Sequence, residues 1–240
     1  MLRITVWNEN LHEKTDEVCR ANHPNGLHET VAEALREDPE FVVRTATLDD
    51  PDCGLTDEVL NDTDDLFWWG HMGHNRVPDE VVDRVYNHVM QGMGLVALHS
   101  AHHSKIFRKL MGTPCNLTWH DDSRERVFVV NPAHPIAKGL PAHFEIPVEE
   151  CYGEPFSIPE PDQLVFLAWY NTGEVFRAGC CYQRGCGKIF YFQPGHETAK
   201  SFFVPEVRQI YRNAARWAAP VIRSDVLMNA PHIPALEQVD

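Results

Sequence analysis

Apolar and polar residues alternate from the first positions of the chain: Leu2, Ile4 and Val6 read as a strand ending near Asn8. A long loop follows through His23-Pro24-Asn25-Gly26, after which Leu27, Val31, Ala34 and Leu35 recur at helical spacing. Phe41-Val42-Val43 predicts a second strand, Thr56 a cap for a short helix, and Asp65-Leu66-Phe67-Trp68-Trp69 a third strand stopped by Gly70. Pro78 opens a helix with Val81, Val82, Val85 and Val89 on one face, closed by Gly92 or Gly94. Gly94 to Leu98 predicts a fourth, buried strand, and Ser100 to Met111 the next helix.

Strands alternating with helices imply a parallel sheet covered on both faces, a doubly wound α/β fold. Beyond about residue 120 the pattern changes. Val127 to Val130, Leu164 to Ala168, Val175 to Ala178 and Ile189 to Phe192 predict strands without intervening helices, hence antiparallel additions. Arg184-Gly185-Cys186-Gly187-Lys188 has the look of a phosphate loop but joins two strands, so it reads as a hairpin turn and no nucleotide cofactor is expected. Pro205 starts a last helix carrying Val207, Ile210, Tyr211, Ala214 and Trp217. The expectation is one domain over 1–240, with its core at about 2–219 and an extension at 220–240. Pro231 and Pro234 break that extension, which either wraps the domain or meets a partner subunit, leaving a homo-oligomer open.

Composition narrows the setting. With 43% hydrophobic and 23% charged residues and no apolar run of spanning length, no membrane role is expected. The first residues run straight into a strand without the pattern of a signal peptide, which points to the cytoplasm. Lys and Arg number 21 against 35 Asp and Glu, a formal charge of -14 that would repel a phosphate backbone, so nucleic acid is excluded as a partner. Seven cysteines without a CxxC pair indicate reduced, structural thiols. The unusual count is 14 histidines.

In open α/β sheets ligands bind at the carboxyl ends of the strands, and here those ends are histidine-rich. The first strand delivers Asn8, Glu9 and Asn10 with His12 nearby, the third Gly70-His71-Met72-Gly73-His74, the fourth His99-Ser100-Ala101-His102, and a late one Pro194-Gly195-His196-Glu197. His99 falls at a sharp strand-to-helix turn, where hydrolases of similar topology expose a nucleophile. A histidine there argues against the thiolate route of the class I glutamine amidotransferases.

Trp69-Gly70-His71, Leu98-His99-Ser100, Glu150-Cys151-Tyr152-Gly153-Glu154, Gly173-Glu174-Val175-Phe176-Arg177 and Pro194-Gly195-His196-Glu197-Thr198 together resemble the ThuA family over roughly residues 2 to 219. Cys151 stands where that family's stretch has methionine. The resemblance implies a flavodoxin-like, class I glutamine amidotransferase-like fold and a role in using trehalose or related disaccharides. It also implies a sugar dehydrogenase as pathway partner, making 3-keto sugars, and a keto-glycoside as substrate.

On that basis His99 and His196 are expected in acid–base roles, because a free imidazole titrates near neutral pH. Glu154 is a candidate general base whose alternative is a solvent-facing carboxylate. His71, His99 and His196 come from three strand ends and could hold a divalent metal, with zinc favoured; the alternative is that they hydrogen-bond a sugar. Asn8, His12, His74, His102, Tyr152 and Glu197 are expected around the substrate, Glu197 orienting His196. His88, on the helix between Val85 and Val89, reads as structural and His134 as part of a rigid Pro132–Ile136 loop, while His143 and His232 have no supporting pattern. Trp119-His120 and Trp169-Tyr170 are either sugar platforms or core. The leading reading is an enzyme that cleaves or isomerises an oxidised disaccharide. Its rivals are a non-catalytic sugar-binding partner of a dehydrogenase and an amidotransferase-class hydrolase lacking the elbow cysteine.

Overall fold

The computed structural model describes residues 1–225 and 234–237. The first half of the chain runs β1 (Leu2–Asn8), α1 (His12–Thr15), α2 (Glu17–Asn22), α3 (Leu27–Arg36), β2 (Phe41–Thr47), α4 (Asp57–Asn61), β3 (Asp65–Trp69), α5 (Asp79–Gln91), β4 (Gly94–Leu98) and α6 (Lys105–Met111). The second half runs β5 (Thr118–Val129), β6 (His143–Gly153), β7 (Gln163–Tyr170), β8 (Val175–Arg184), β9 (Gly187–Phe192) and α7 (Pro205–Ala218). The nine strands form one sheet in the order β2-β1-β3-β4-β9-β8-β7-β5-β6. The first five in that order are parallel, and the rest pair antiparallel.

This is the α/β sheet with a parallel core and antiparallel additions that the pattern predicts, the additions accounting for as many strand pairings as the core. Leu66 to Trp69 and Leu95 to Leu98 are all buried, so β3 and β4 read as continuous apolar runs rather than alternations, as strands covered on both faces must. Two helix pairs, α3 with α7 and α5 with α6, supply that cover. Arg184 to Lys188 is the expected hairpin, closed by the Arg184–Gly187 pair.

Three segments differ from the expectation. The predicted helix from Ser100 is a tight 3-10 turn over His99–His103, and α6 begins only after Ser104, whose hydroxyl accepts from Phe107 N–H at 3.2 Å. The long loop after β1 contains α1 and α2, which are too short to show a helical period. β6 is absent from the sequence reading because Pro147 and the buried acids Glu149 and Glu150 interrupt the alternation set by Phe144 and Ile146. As for the extension, Ser224 N–H donates to the Gln91 carbonyl at 2.8 Å, so its first residues lie against α5; Pro231 and His232 lie outside the described residues.

Register positions the site. Asn8 pairs with Trp69, Trp69 with Leu98, and Leu98 with Phe192. Four parallel strands therefore end level, and the residues after them stand side by side along one edge. The β5–β6 ribbon shifts register between His120 and Glu125, irregularities of the kind that bend a strand pair, and the end of β6 meets the segment after β9. There Gln193 Nε2 donates to the Glu150 carbonyl at 3.1 Å, and the Glu149 carboxylate accepts from Gly195 and His196 N–H at 3.0 Å each.

Candidate functional site

A cavity of about 410 Å³ opens at this edge, lined by His71, His74, His102, His103, Glu150, Tyr152 and His196, with Asn116 and Trp119 at its rim. That volume falls within the usual range for small-molecule sites. Its wall combines strand ends from the parallel half with β6 from the antiparallel half.

His99 adopts φ of +51°, a left-handed conformation uncommon outside glycine and typical of strained functional turns. The strain buries the ring completely. Nδ1 donates to the Gln193 carbonyl at 2.7 Å, and Nε2 faces Glu150 Oε2 at 2.9 Å and the Tyr152 hydroxyl at 3.2 Å. Both nitrogens thus act as donors, the arrangement of an imidazolium. Burial alone would lower the His99 pKa, but the hydrogen bond and charge of Glu150 reverse that and raise it to about 9. Burial likewise pushes the Glu150 carboxyl up, and the His99 imidazolium overcomes it and holds the carboxyl below its usual range. Glu150 is therefore an ionised carboxylate at neutral pH, on the cavity wall, with a buried cation behind it.

This placement changes two of the expected roles. His99 does not line the cavity and has no free nitrogen for a substrate, so it positions Glu150 and does not itself exchange protons with a ligand. Glu154 leaves the cavity altogether. Arg177 Nε and Nη2 donate to its two oxygens at 2.7 and 2.9 Å, and Phe156 and Arg177 N–H donate as well. A carboxylate with four donors is a structural anchor. Glu154→Gln is accordingly expected to cost about 1 kcal/mol of stability, the pair being partly exposed, while leaving turnover within about twofold; urea unfolding beside steady-state rates checks it.

His196, His102, His74 and Tyr152 do line the cavity. His196 Nδ1 lies 2.9 Å from Thr198 Oγ1, which fixes the ring and leaves Nε2 as its second functional atom. Gly195, at φ +142°, makes the turn before it, where a Cβ would come within 3.4 Å of His99. Burial, with His103 beside it, lowers the His102 pKa well below its ordinary value; Nδ1–H donates to the Cys115 carbonyl at 2.7 Å, so Nε2 is an acceptor. Burial also brings His74 down to about 4, so both rings are neutral. The Tyr152 phenol is raised by burial and stays protonated.

The three expected metal ligands divide between two clusters. His99 and His196 group with Glu150, and His71 groups with His12 and Glu197. Asn8 reaches neither: its amide donates to Glu13 at 2.5 Å and its carbonyl accepts from Asn10 N–H, tying the turn after β1. Cys151 is fully buried, its thiol pushed up by burial to about 12, and burial raises the Cys115 thiol too, so neither supplies a thiolate to the cavity.

Glu9 and Glu150, noted in the sequence without a site role, and Glu149, not noted there, are the carboxylates that the fold brings to this edge. Glu150 had a usable signal: it alternates with Tyr152, which places both on one face of any strand drawn there.

The family profile described as trehalose utilisation, ThuA, matches residues 3–218. No curated protein matches the chain. Among solved structures, a ThuA-like protein from Parabacteroides merdae superposes with a TM-score of 0.72 at 14% identity, covering 94% of this chain and 92% of that one. A ThuA-like protein from Bacteroides uniformis gives 0.67 at 19% identity, covering 90% and 91%. A GMP synthase component from Thermoplasma acidophilum gives 0.51 at 16% identity, covering 90% and 93%, and shares the amidotransferase-like fold. Among the described residues no helix is long and apolar enough to cross a membrane.

Proposed function

We propose, from the premise that this chain belongs to the ThuA trehalose-utilisation family, that it is an enzyme acting on a keto-glycoside by acid–base chemistry. The observation that supports this most is the Glu150 carboxylate, 6% exposed, ionised, and facing a cavity between a buried imidazolium and His196.

A hydrogen on the carbon next to a ketone is acidic because the electron pair left behind delocalises onto the ketone oxygen. Glu150 takes that proton. The Tyr152 hydroxyl, held protonated by burial, is a donor for the oxygen where charge develops. If the next carbon carries the glycosidic oxygen, the electron pair returns from the enolate, the carbon–oxygen bond breaks, and the oxygen leaves with its bonding pair. His196, through Nε2, protonates it. If instead the proton is returned to a different carbon, the same residues isomerise the sugar.

His102 Nε2, His74 and the exposed ring of Trp119, which is 64% accessible, provide hydrogen bonds and an apolar platform for a sugar. A sugar dehydrogenase supplies the ketone in this reading, which accounts for a site built to handle an acidic C–H rather than an unactivated acetal.

The test is incubation of the pure protein with 3-keto-trehalose, with products followed by NMR. Loss of the glycosidic signal, or exchange of the hydrogen beside the ketone for deuterium, is expected. Absence of both, with divalent metal supplied, refutes the proposal. Ligand-induced stabilisation without either signal identifies a sugar-binding protein instead.

A further inference from the structure

We propose that His12, His71 and Glu197 form a three-ligand site for one divalent transition-metal cation, zinc by its donor set, behind the cavity wall that His71 lines and separate from the Glu150–His99 pair. Donor atoms of the three side chains all lie within 4.8 Å of one another. Glu197 Oε1 is 3.1 Å from His12 Nε2 and 3.4 Å from His71 Nδ1, and the two imidazoles stack with centroids 4.8 Å apart and planes 16° from parallel. Two rings and a carboxylate from three different chain segments thus present lone pairs to one small volume.

An independent observation is the set of polar atoms left over. Glu197 Oε2, in a side chain only 5% exposed, is buried without a hydrogen-bond partner, and so is His12 Nδ1, on the far side of the ring from Glu197 and 3.8 Å from Glu9 Oε1. Burying such atoms unpaired is costly, and native structures almost always satisfy them with protein, water or an ion. The neighbouring cluster differs in this respect. His99 already spends both nitrogens on Gln193 and Glu150, so a cation there would have to displace good hydrogen bonds. The third group, His120, Cys151 and Glu174, pairs an exposed imidazole with a thiol that burial keeps protonated.

The surroundings hold the ligands in place. Glu9, fully buried, accepts Met72 and Gly73 N–H at 2.7 Å each and so pins the loop that carries His71. The His23 ring, through Nε2, lies 3.1 Å from the Glu197 carbonyl and fixes the other segment. Outer partners of this kind orient metal ligands and tune affinity. His71, 37% exposed, leaves one side of the cluster open to the cavity. Two histidines, one glutamate and an open position form a donor set used by catalytic zinc, which polarises a bound oxygen.

The site stands whether or not the substrate is a keto-glycoside, because its test reads metal and not turnover. Full-length protein purified without a histidine tag, stripped with chelator and titrated calorimetrically with Zn²⁺, is expected to bind one equivalent. His71→Ala and Glu197→Gln should each weaken binding by about 100-fold or more, Glu9→Gln by about 10-fold, and Glu150→Gln by less than about threefold. Replacement of zinc by Co²⁺ should give the intense visible bands of a four-coordinate site, lost in His71→Ala, whose partial exposure makes it the mildest change to the fold. No binding to the native protein overturns the proposal. So does binding that survives both His71→Ala and Glu197→Gln, or that disappears in Glu150→Gln alone.

Discussion

Glu150→Gln is expected to lower kcat on a keto-glycoside by about a thousandfold while changing KM only a fewfold. The amide has the shape of the carboxylate but cannot accept a proton from carbon, so binding contacts persist and the chemical step fails. The change also removes the countercharge of His99, which is fully buried and has Glu150 as its only carboxylate partner within 4 Å among the described residues. A buried imidazolium without that partner loses its proton, and some stability goes with it. The loss of rate must therefore be measured on protein shown to be folded by its near-UV spectrum and able to bind the ketone. Under those conditions a kcat within tenfold of the native value would remove Glu150 from the role of base and return attention to His196.

The parallel half was legible because each of its signals is local. A buried strand of a doubly wound sheet is a short apolar run, as in Leu66 to Trp69, and its end is marked by the glycine or polar residue that follows. Since such strands end level, His71, His99 and His196 could be brought to one edge from sequence alone. What could not be read was direction and distance. His99 sits at the right turn, but φ of +51° swings its ring inward, behind a residue from a strand that the pattern does not reveal. β6 hides because function put acids into it: Glu149 and Glu150 are buried, and buried carboxylates break the alternation by which strands are recognised. The partition of the expected ligands into two clusters hides for a related reason, since His12 comes from a four-residue helix that no periodicity can announce. Glu154 shows the reverse case. Its place after the Tyr152-Gly153 turn suggested the cavity, yet it lies just past the end of β6, where Arg177 takes it up instead.

His99→Asn is expected to destabilise the protein by about 3–5 kcal/mol near neutral pH, with the loss depending on pH in a defined direction. Asparagine is among the non-glycine residues that tolerate the left-handed backbone best, so the turn itself is retained and the measured effect belongs to the lost imidazolium. In the folded chain His99 keeps its proton up to about pH 9. In the unfolded chain it releases that proton near pH 6.5. Its contribution is therefore whole below about pH 6.5 and fades as pH rises to 9, at up to about 1.4 kcal/mol per pH unit and about 3 kcal/mol in all. Glu150 acts in the opposite sense, since its depressed carboxyl contributes stability above the ordinary carboxylate range that is lost as pH falls through its lower folded value. The gap between native and variant protein should thus be widest at mildly acidic pH and narrow steadily towards pH 9. The difference is the quantity to measure, by denaturant unfolding at each pH, because buried thiols such as Cys19 and Cys151 are present in both proteins and their titration in the unfolded chain cancels. A gap that stays constant from pH 6.5 to 9 would mean that His99 is neutral in the fold, and the ionised Glu150 that it supports would lose its main physical cause.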